Sequence, residues 1–474
     1  MSRRRRSRPR NSRSRQKTAW GPLLIGLLVG VPLAAEVLAR VLVATQRLEL
    51  TTPGTEVPTM DIAEAYQLKF VTAEGNPYAT PTPPGELKAR RHPLLGYDLV
   101  ANQQGQFWTI NDQGFRESAT VPLVKAEGEI RIVILGGSEA FGQLSSSNKA
   151  LFSTQLQERL NQRVTEQRNN PGRFQPEILP YRADQVTEAL ALPPQIRLGQ
   201  YRVINAAVPG YTSGNVLGRL LYQVAAYDPD ILVVMEGYGD LLLPSQQPAA
   251  DIPQLDALLA AQVPAVADDS ALKPMQWGQR LGDVALDHLY VVKVWHSFNA
   301  PLPEETAPEP VKLVNLMTDD PEVPLVNQVP EGPELQKRVD RYQQHMLQLV
   351  RWTSATQKQL ILVVPPEITG RSPDQITDSE AAIVADLGQP YQTKISPAFD
   401  QLTTAAEAVA ARSANAKVFN FYSLNAPAKS PLAEQPLFQT SVSLTDAGQT
   451  VLADRLYGSI VADLALQPRP FGSR

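Results

Sequence analysis

The chain has 474 residues, 43% hydrophobic and 19% charged, with no cysteine, four histidines and a formal net charge of -4. Those counts exclude disulfide scaffolds, Cys-ligated zinc or iron–sulfur sites and any thiol nucleophile, and the length allows one large core with appendages. Its 41 prolines stand well above the usual ~5%, so long irregular insertions are expected in an otherwise globular body.

The charge is unevenly placed. Residues 1–17 (MSRRRRSRPRNSRSRQK) hold eight Arg and one Lys without an acid, which leaves 35 bases against 48 acids, a balance of -13, on the remainder. Thr18 to Ala35 then carries no charge. As a helix it reaches about 27 Å, just short of the ~30 Å hydrocarbon core, and continuation past Glu36 and Arg40 makes residues 18–45 long enough to span. Glu36 and Arg40 share one helical face near the far end, and Pro22 and Pro32 are tolerated in a membrane helix. The basic cluster ahead of the span keeps the tip cytoplasmic and sends the rest across. A single-pass anchor in a bacterial-type plasma membrane is therefore expected, with the bulk extracytoplasmic (periplasmic). A cleaved signal peptide competes, but Leu42-Val-Ala44 is only a weak cleavage match. The Arg/Ser-rich arm also suits nucleic acid or anionic lipid; the span that follows at once favours a topology signal, and nucleic acid is not the expected partner.

Residues 46–85 (TTPGTEVPT, NPYATPTPPGE) read as a spacer with little regular structure. Residues 86–128 read as a β-hairpin extension, with short strands at His92–Tyr97 and Gly105–Ile110 and a turn at Asn111–Gly114. From 129 to 474, apolar runs alternate with amphipathic segments. The runs Ile130–Leu135, Tyr201–Asn205, Asp230–Met235, Gln359–Val364 and Lys417–Phe421 suit strands covered on both faces, hence a parallel sheet with crossover helices. Helices are predicted at about 150–166, 214–227, 334–357, 391–413 and 445–465, the last capped by Ser443 or Thr445. The fold class is α/β, a three-layer doubly wound parallel sheet. Insertions interrupt it at about 167–200 and 244–333. The second has helical periodicity at Leu255–Ala261 and Gln279–Val292 and open coil at Asn299–Pro310.

Open α/β sheets place ligands at the carboxyl ends of their strands. Three such ends are informative: Leu135-Gly-Gly-Ser138-Glu-Ala-Phe-Gly142, Asn205-Ala-Ala-Val-Pro-Gly210-Tyr-Thr-Ser213 and Met235-Glu-Gly-Tyr-Gly-Asp240. The stretches Asn111-Asp-Gln-Gly-Phe-Arg116, Arg131-Ile-Val-Ile-Leu-Gly-Gly-Ser138, Val203-Ile-Asn-Ala-Ala-Val-Pro-Gly-Tyr-Thr-Ser213 and Ser443-Leu-Thr-Asp-Ala-Gly448 make the chain resemble the SGNH/GDSL hydrolases over about 92–465, in the variant where an anchor and a hairpin precede the catalytic body.

The resemblance implies flavodoxin-like strand order, Ser138 as nucleophile and the Gly210 N–H as an oxyanion donor. A serine hydroxyl needs a base, and its tetrahedral oxyanion needs aligned donors. Here the chain departs from the family. Gly239 stands where the family has its Asn donor, Thr440 replaces its Asp and Ser443 replaces its His. Losing one oxyanion donor costs about 10²–10³ in turnover, and losing the base more. The expected role is thus binding or scaffolding in envelope, polysaccharide or lipid handling, with weak or no turnover. The expected ligand is a polysaccharide or lipid acyl ester, and an envelope protein is a further candidate partner.

Two alternatives remain open. Ser138 could serve an active esterase or O-acyltransferase with a non-standard base, drawn from His92, His288, His296 or His345. The Pro-rich insertions could instead dock a membrane complex. Glu139 and Asp240 suit a helix-terminal charge and a turn stabiliser. Ser138 also suits a helix N-cap or anion-binding turn. Phe107, Trp108, Tyr211 and Tyr238 suit a ligand groove or ordinary packing. No cofactor is implied, and four scattered histidines offer no metal pattern.

Overall fold

The computed structural model describes residues 61–71, 75, 85–92, 94–246 and 325–472. The basic tip, the anchor expected at 18–45, His288, His296 and the segments expected at Leu255–Ala261, Gln279–Val292 and Asn299–Pro310 lie outside the described residues. Among those described, no helix is long and apolar enough to cross a membrane.

Part of the expected spacer is regular structure. Helix α1 (Ile62–Ala65) starts at Asp61, whose side chain accepts from Ala63 N, and strand β1 (Leu68–Phe70) follows. β1 pairs in parallel with β2 (Leu87–His92), which pairs antiparallel with β3 (Gly96–Leu99). Tyr66 explains why this stretch is ordered: its ring is buried and its hydroxyl donates to Ser145 O at 2.7 Å. The single strand expected at His92–Tyr97 is instead divided, with His92 ending β2, Gly96 and Tyr97 opening β3 and a turn between them in which His92 Nδ1 accepts from Leu94 N and Leu95 N at 3.3 and 3.2 Å. The strand expected at Gly105–Ile110 is shorter and shifted, as β4 (Gln103–Gln104) and β5 (Thr109–Ile110) form a small antiparallel pair. The Asn111–Gly114 turn forms as expected, with Asn111 Oδ1 accepting from Gln113 N and Phe115 N.

The body follows as β6 (Glu129–Gly136), α2 (Ser138–Phe141), α3 (Phe152–Asn169), α4 (Ala183–Leu190), β7 (Gln200–Asn205), α5 (Ser213–Arg219), β8 (Ile231–Met235), α6 (Tyr238–Leu242), α7 (Leu325–Gln328), α8 (Gly332–Ala355), β9 (Gln359–Val364), α9 (Asp378–Ala410), β10 (Ala416–Asn420) and α10 (Asp446–Asp463). The five strands β6 to β10 form one sheet in the order β10-β9-β8-β6-β7, parallel throughout. In chain order that is 2-1-3-4-5, the flavodoxin-like arrangement. α3 packs with α10 and with β7, while α8 packs with α5, α6, α9 and β9. Right-handed crossovers put these two groups on opposite faces, and the five residues of β8 are all buried between them.

Two elements differ from expectation. α9 begins well before residue 391 because Thr377 and Glu380 form a capping box, and Gly388, at φ 77°, joins this first segment to the second across a kink. The insertion at 167–200 is not all loop, since it holds α4 and a 3-10 turn at Pro171–Arg173. At α10, Thr445 is the cap, its side chain accepting from Gly448 N.

Candidate active site

Chain order reverses at β6, whose neighbours are β7 and β8, so the crevice beyond these three strand ends is where a ligand belongs. β6 ends on Gly136 at φ 152°, where a Cβ would lie 2.0 Å from Met235 O. Only glycine lets the two strand ends come this close. Gly137 is then the N-cap of α2 and Ser138 its first residue; Ser138 therefore does not cap the helix, which corrects that expectation. Ser138 is 3% exposed. Its Oγ accepts the Gly210 N–H at 3.1 Å, with Gly210 in a left-handed turn at φ 77° after β7. Two of the sequence-predicted residues thus meet, and among the described residues this is the hydrogen bond made by the Ser138 hydroxyl.

The helix behind Ser138 is held from outside the sheet. Arg116, fully buried, donates from Nη1 to Phe141 O and Gly142 O at 3.0 and 2.7 Å, from Nε to Asn148 Oδ1 and from Nη2 to the Tyr66 hydroxyl at 2.5 Å. Its guanidinium also lies over the Phe141 ring, 4.6 Å from the centroid. Asn205, at the end of β7, donates to Ala140 O and accepts from Ala207 N. The turn carrying Gly210 and the helix carrying Ser138 are therefore tied to one another.

The other predicted positions are occupied differently. A Cβ on Gly239 would lie 3.0 Å from Tyr211 O and 3.3 Å from Glu236 Oε1, so the space beside it already holds a carboxylate. Thr440 Oγ1 accepts from Ser443 N at 2.9 Å, and Gln439 N donates to Ser443 O. Thr440 and Ser443 thus build a side-chain-stabilised turn. Neither hydroxyl hydrogen-bonds Ser138 among the described residues.

No described histidine reaches Ser138. His92 is held in the β2–β3 turn. His345, on α8, places Nδ1 2.8 Å from Ser213 Oγ, and that hydroxyl also lies 2.5 Å from Asp240 Oδ1, while Ser213 N donates to Asp240 Oδ2 at 2.9 Å. A hydroxyl has one proton, and with it given to the Asp240 carboxylate, His345 Nδ1 donates to Ser213. Asp240 is thus more than a turn stabiliser: it ties α6 to the start of α5 and, through Ser213, to α8.

Three buried carboxyls surround this region. Burial pushes Glu139 up to about 7, and it pushes Glu236 well above the ordinary range, with Asp240 and Glu139 adding to the rise. Asp240 is raised by burial too, against the Arg341 guanidinium, which lowers it. Among the described residues no cation pairs with Glu139 or Glu236, and Glu139 Oε1 and Glu236 Oε2 have no hydrogen-bond partner. Glu236 was missed in the sequence, although an acid closing the apolar run Ile231–Met235 was its signal.

The aromatic residues are packed into the core among the described residues. Trp108, Tyr211 and Tyr238 are buried, and Phe107 packs against the core. Tyr238 OH lies 2.9 Å from Tyr391 OH, which donates to Glu367 Oε1 at 3.2 Å. Among the described residues no group of three or more His, Asp or Glu is placed to hold a metal.

No protein-family model matches the chain, and no curated protein matches it. Among solved structures it is similar to an acetyl xylan esterase, at 12% identity and a TM-score of 0.32, over 70% of this chain and 100% of that one. It is also similar to a lipase/acylhydrolase from Enterococcus faecalis, at 13% identity and 0.31, over 72% and 98%. An acetylxylan esterase from Geobacillus stearothermophilus matches at 14% and 0.28, over 70% and 94%. Likeness this slight assigns no activity.

Proposed function

We propose that the chain is a membrane-anchored, extracytoplasmic SGNH/GDSL-like protein that binds an acyl ester of polysaccharide or lipid, or scaffolds its handling, with weak or no turnover. The observation that carries this reading is the partner of Ser138. Its hydroxyl is bonded to the Gly210 N–H, which is the family's oxyanion donor, and no imidazole among the described residues is placed to take its proton. A serine in that state is a poor nucleophile. The carboxylate beside Gly239 and the Thr440–Ser443 turn support the same reading. The anchor and orientation rest on the Arg cluster ahead of residues 18–45.

The test is chemical. The full chain in detergent, beside Ser138→Ala, is treated with a fluorophosphonate probe and with p-nitrophenyl acetate. Labelling and turnover at background in both proteins are expected; Ser138-dependent labelling with turnover well above background would overturn the reading. Orientation is tested by a cysteine placed at residue 60, where labelling from the cytoplasmic side would reverse the proposed topology.

A further inference from the structure

Glu139 and Glu236 approach from two different elements, α2 and the end of β8, and meet at Gly137. A Cβ at Gly137 would lie 3.3 Å from Glu236 Oε2 and 3.4 Å from Glu139 Oε2. Both side chains are buried and neither has a cation; Glu236 Oε2, the oxygen beside Gly137, has no partner, and on Glu139 it is the other oxygen, Oε1, that has none. Two carboxylates so placed do not both ionise, because each negative charge disfavours the other in a medium that solvates neither. We propose that Glu139 and Glu236 hold one proton between them across Gly137, and that this shared proton closes the Ser138 turn.

The charged and titratable neighbours favour a retained proton, while the Gly237 N–H that donates to Glu236 Oε1 at 3.0 Å opposes it in part. Glu236 faces Asp240 on α6, Tyr97 on β3 and Tyr342 on α8, and Glu139 faces Tyr238 on α6; none of these is a cation. Of the positive or protonatable groups on α8, Arg341 and His345 act on Asp240. Glycine at 137 is then the residue that leaves room for the two carboxyls, since a side chain there would separate them.

The inference names a regulation of the site proposed above and rests on that placement of Ser138. Its test reads protons rather than turnover, so either can fail alone. Both carboxyls are raised in the folded chain. The stability they contribute is therefore complete below the unfolded glutamate value, about 4.5, and is lost progressively as pH rises from there through the folded values, about 7 for Glu139. Amide exchange across residues 136–142, corrected for intrinsic rate, is expected to rise about tenfold between about pH 5 and about pH 9 in the wild type and to stay nearly flat in Glu236→Gln. An equal rise in both proteins overturns the proposal.

Infrared spectroscopy gives a readout that does not depend on how stable a variant is at high pH. The wild-type spectrum minus that of Glu236→Gln, at about pH 7, is expected to contain a carboxylic-acid stretch. Glu139→Gln is expected to move that band to higher frequency, since an amide replaces the ionised acceptor. Absence of the band, or a band unmoved by Glu139→Gln, overturns the sharing. Glu117 and Glu367, also raised to about 7 by burial, contribute bands that cancel in these subtractions.

Discussion

Arg116 Nη1 lies 2.7 Å from the Gly142 carbonyl, so a side chain from the β-hairpin extension closes the helix that begins at Ser138. A short helix leaves its last carbonyls without intrahelical partners, and here one guanidinium donates to two of them, beside Ser145 on Gly142 O and Asn205 on Phe141 O. Arg116→Ala is expected to destabilise the chain by on the order of 3 kcal/mol, because a large buried side chain is removed, the Tyr66 hydroxyl loses the Arg116 donor, and the Phe141 and Gly142 carbonyls each lose one of their donors. Arg116→Lys is expected to recover little, since a point ammonium cannot reproduce the planar fork. Urea-unfolding midpoints of the three proteins check this; a fully stable Arg116→Ala would show that the clamp is not needed.

Installing the Asp and His that SGNH/GDSL hydrolases carry is a sharper test of the proposed function. Thr440 already accepts the Ser443 N–H, and an Asp at 440 can make the same turn. Thr440→Asp with Ser443→His is therefore expected to fold and to raise ester hydrolysis about 10²-fold or more over the wild type. Adding Gly239→Asn is expected to lower stability instead of adding rate, since its Cβ would stand 3.3 Å from Glu236 Oε1. Initial rates on p-nitrophenyl acetate and thermal midpoints separate the two effects.

Ser213 joins Asp240 to His345, and all three are buried. Removing the hydroxyl leaves an imidazole N–H and a carboxylate oxygen each short of a partner. Ser213→Ala is expected to cost about 1–3 kcal/mol. Ser213→Thr, which keeps the hydroxyl, is expected to retain the bonds and to lose stability only by crowding. Equal unfolding midpoints for Ser213→Ala and the wild type would show that the triad of bonds contributes nothing.

Burial raises Glu367 to about 7 despite its bonds from Thr369 and Tyr391. The folded chain therefore holds a proton that the unfolded chain releases near 4.5, and stability is expected to fall as pH rises from there through about 7. Glu367→Gln is expected to flatten that part of the profile. Thermal midpoints across the same range for both proteins measure it, and parallel profiles would contradict the assignment.

The sheet was legible because burial on both faces imposes continuous apolar runs, which is why Gln359–Val364 is both the expected and the observed strand. Irregular segments carry no such constraint. Tyr66 and α1 lay hidden in a Thr- and Pro-rich stretch, where one buried ring decides the structure and no periodicity announces it. Ser138 and Gly210 could be placed together because motif and strand end coincide. The carboxyls could not: Glu139 and Glu236 are far apart in sequence, and only the pairing of β6 with β8 brings them to one glycine.

That pairing has a partner of another kind at β8 and β9, where Ile231 sits opposite Gln359 and the whole second insertion lies between them in sequence. Contacts of such long range are reached late and slowly, because loop closure must precede the reward of pairing. During synthesis β6, β7 and β8 emerge first and can associate while one flank of β8 still lacks its neighbour. That exposed strand edge invites association with other chains, so the nascent protein is most vulnerable to aggregation in the interval before Gln359–Val364 arrives.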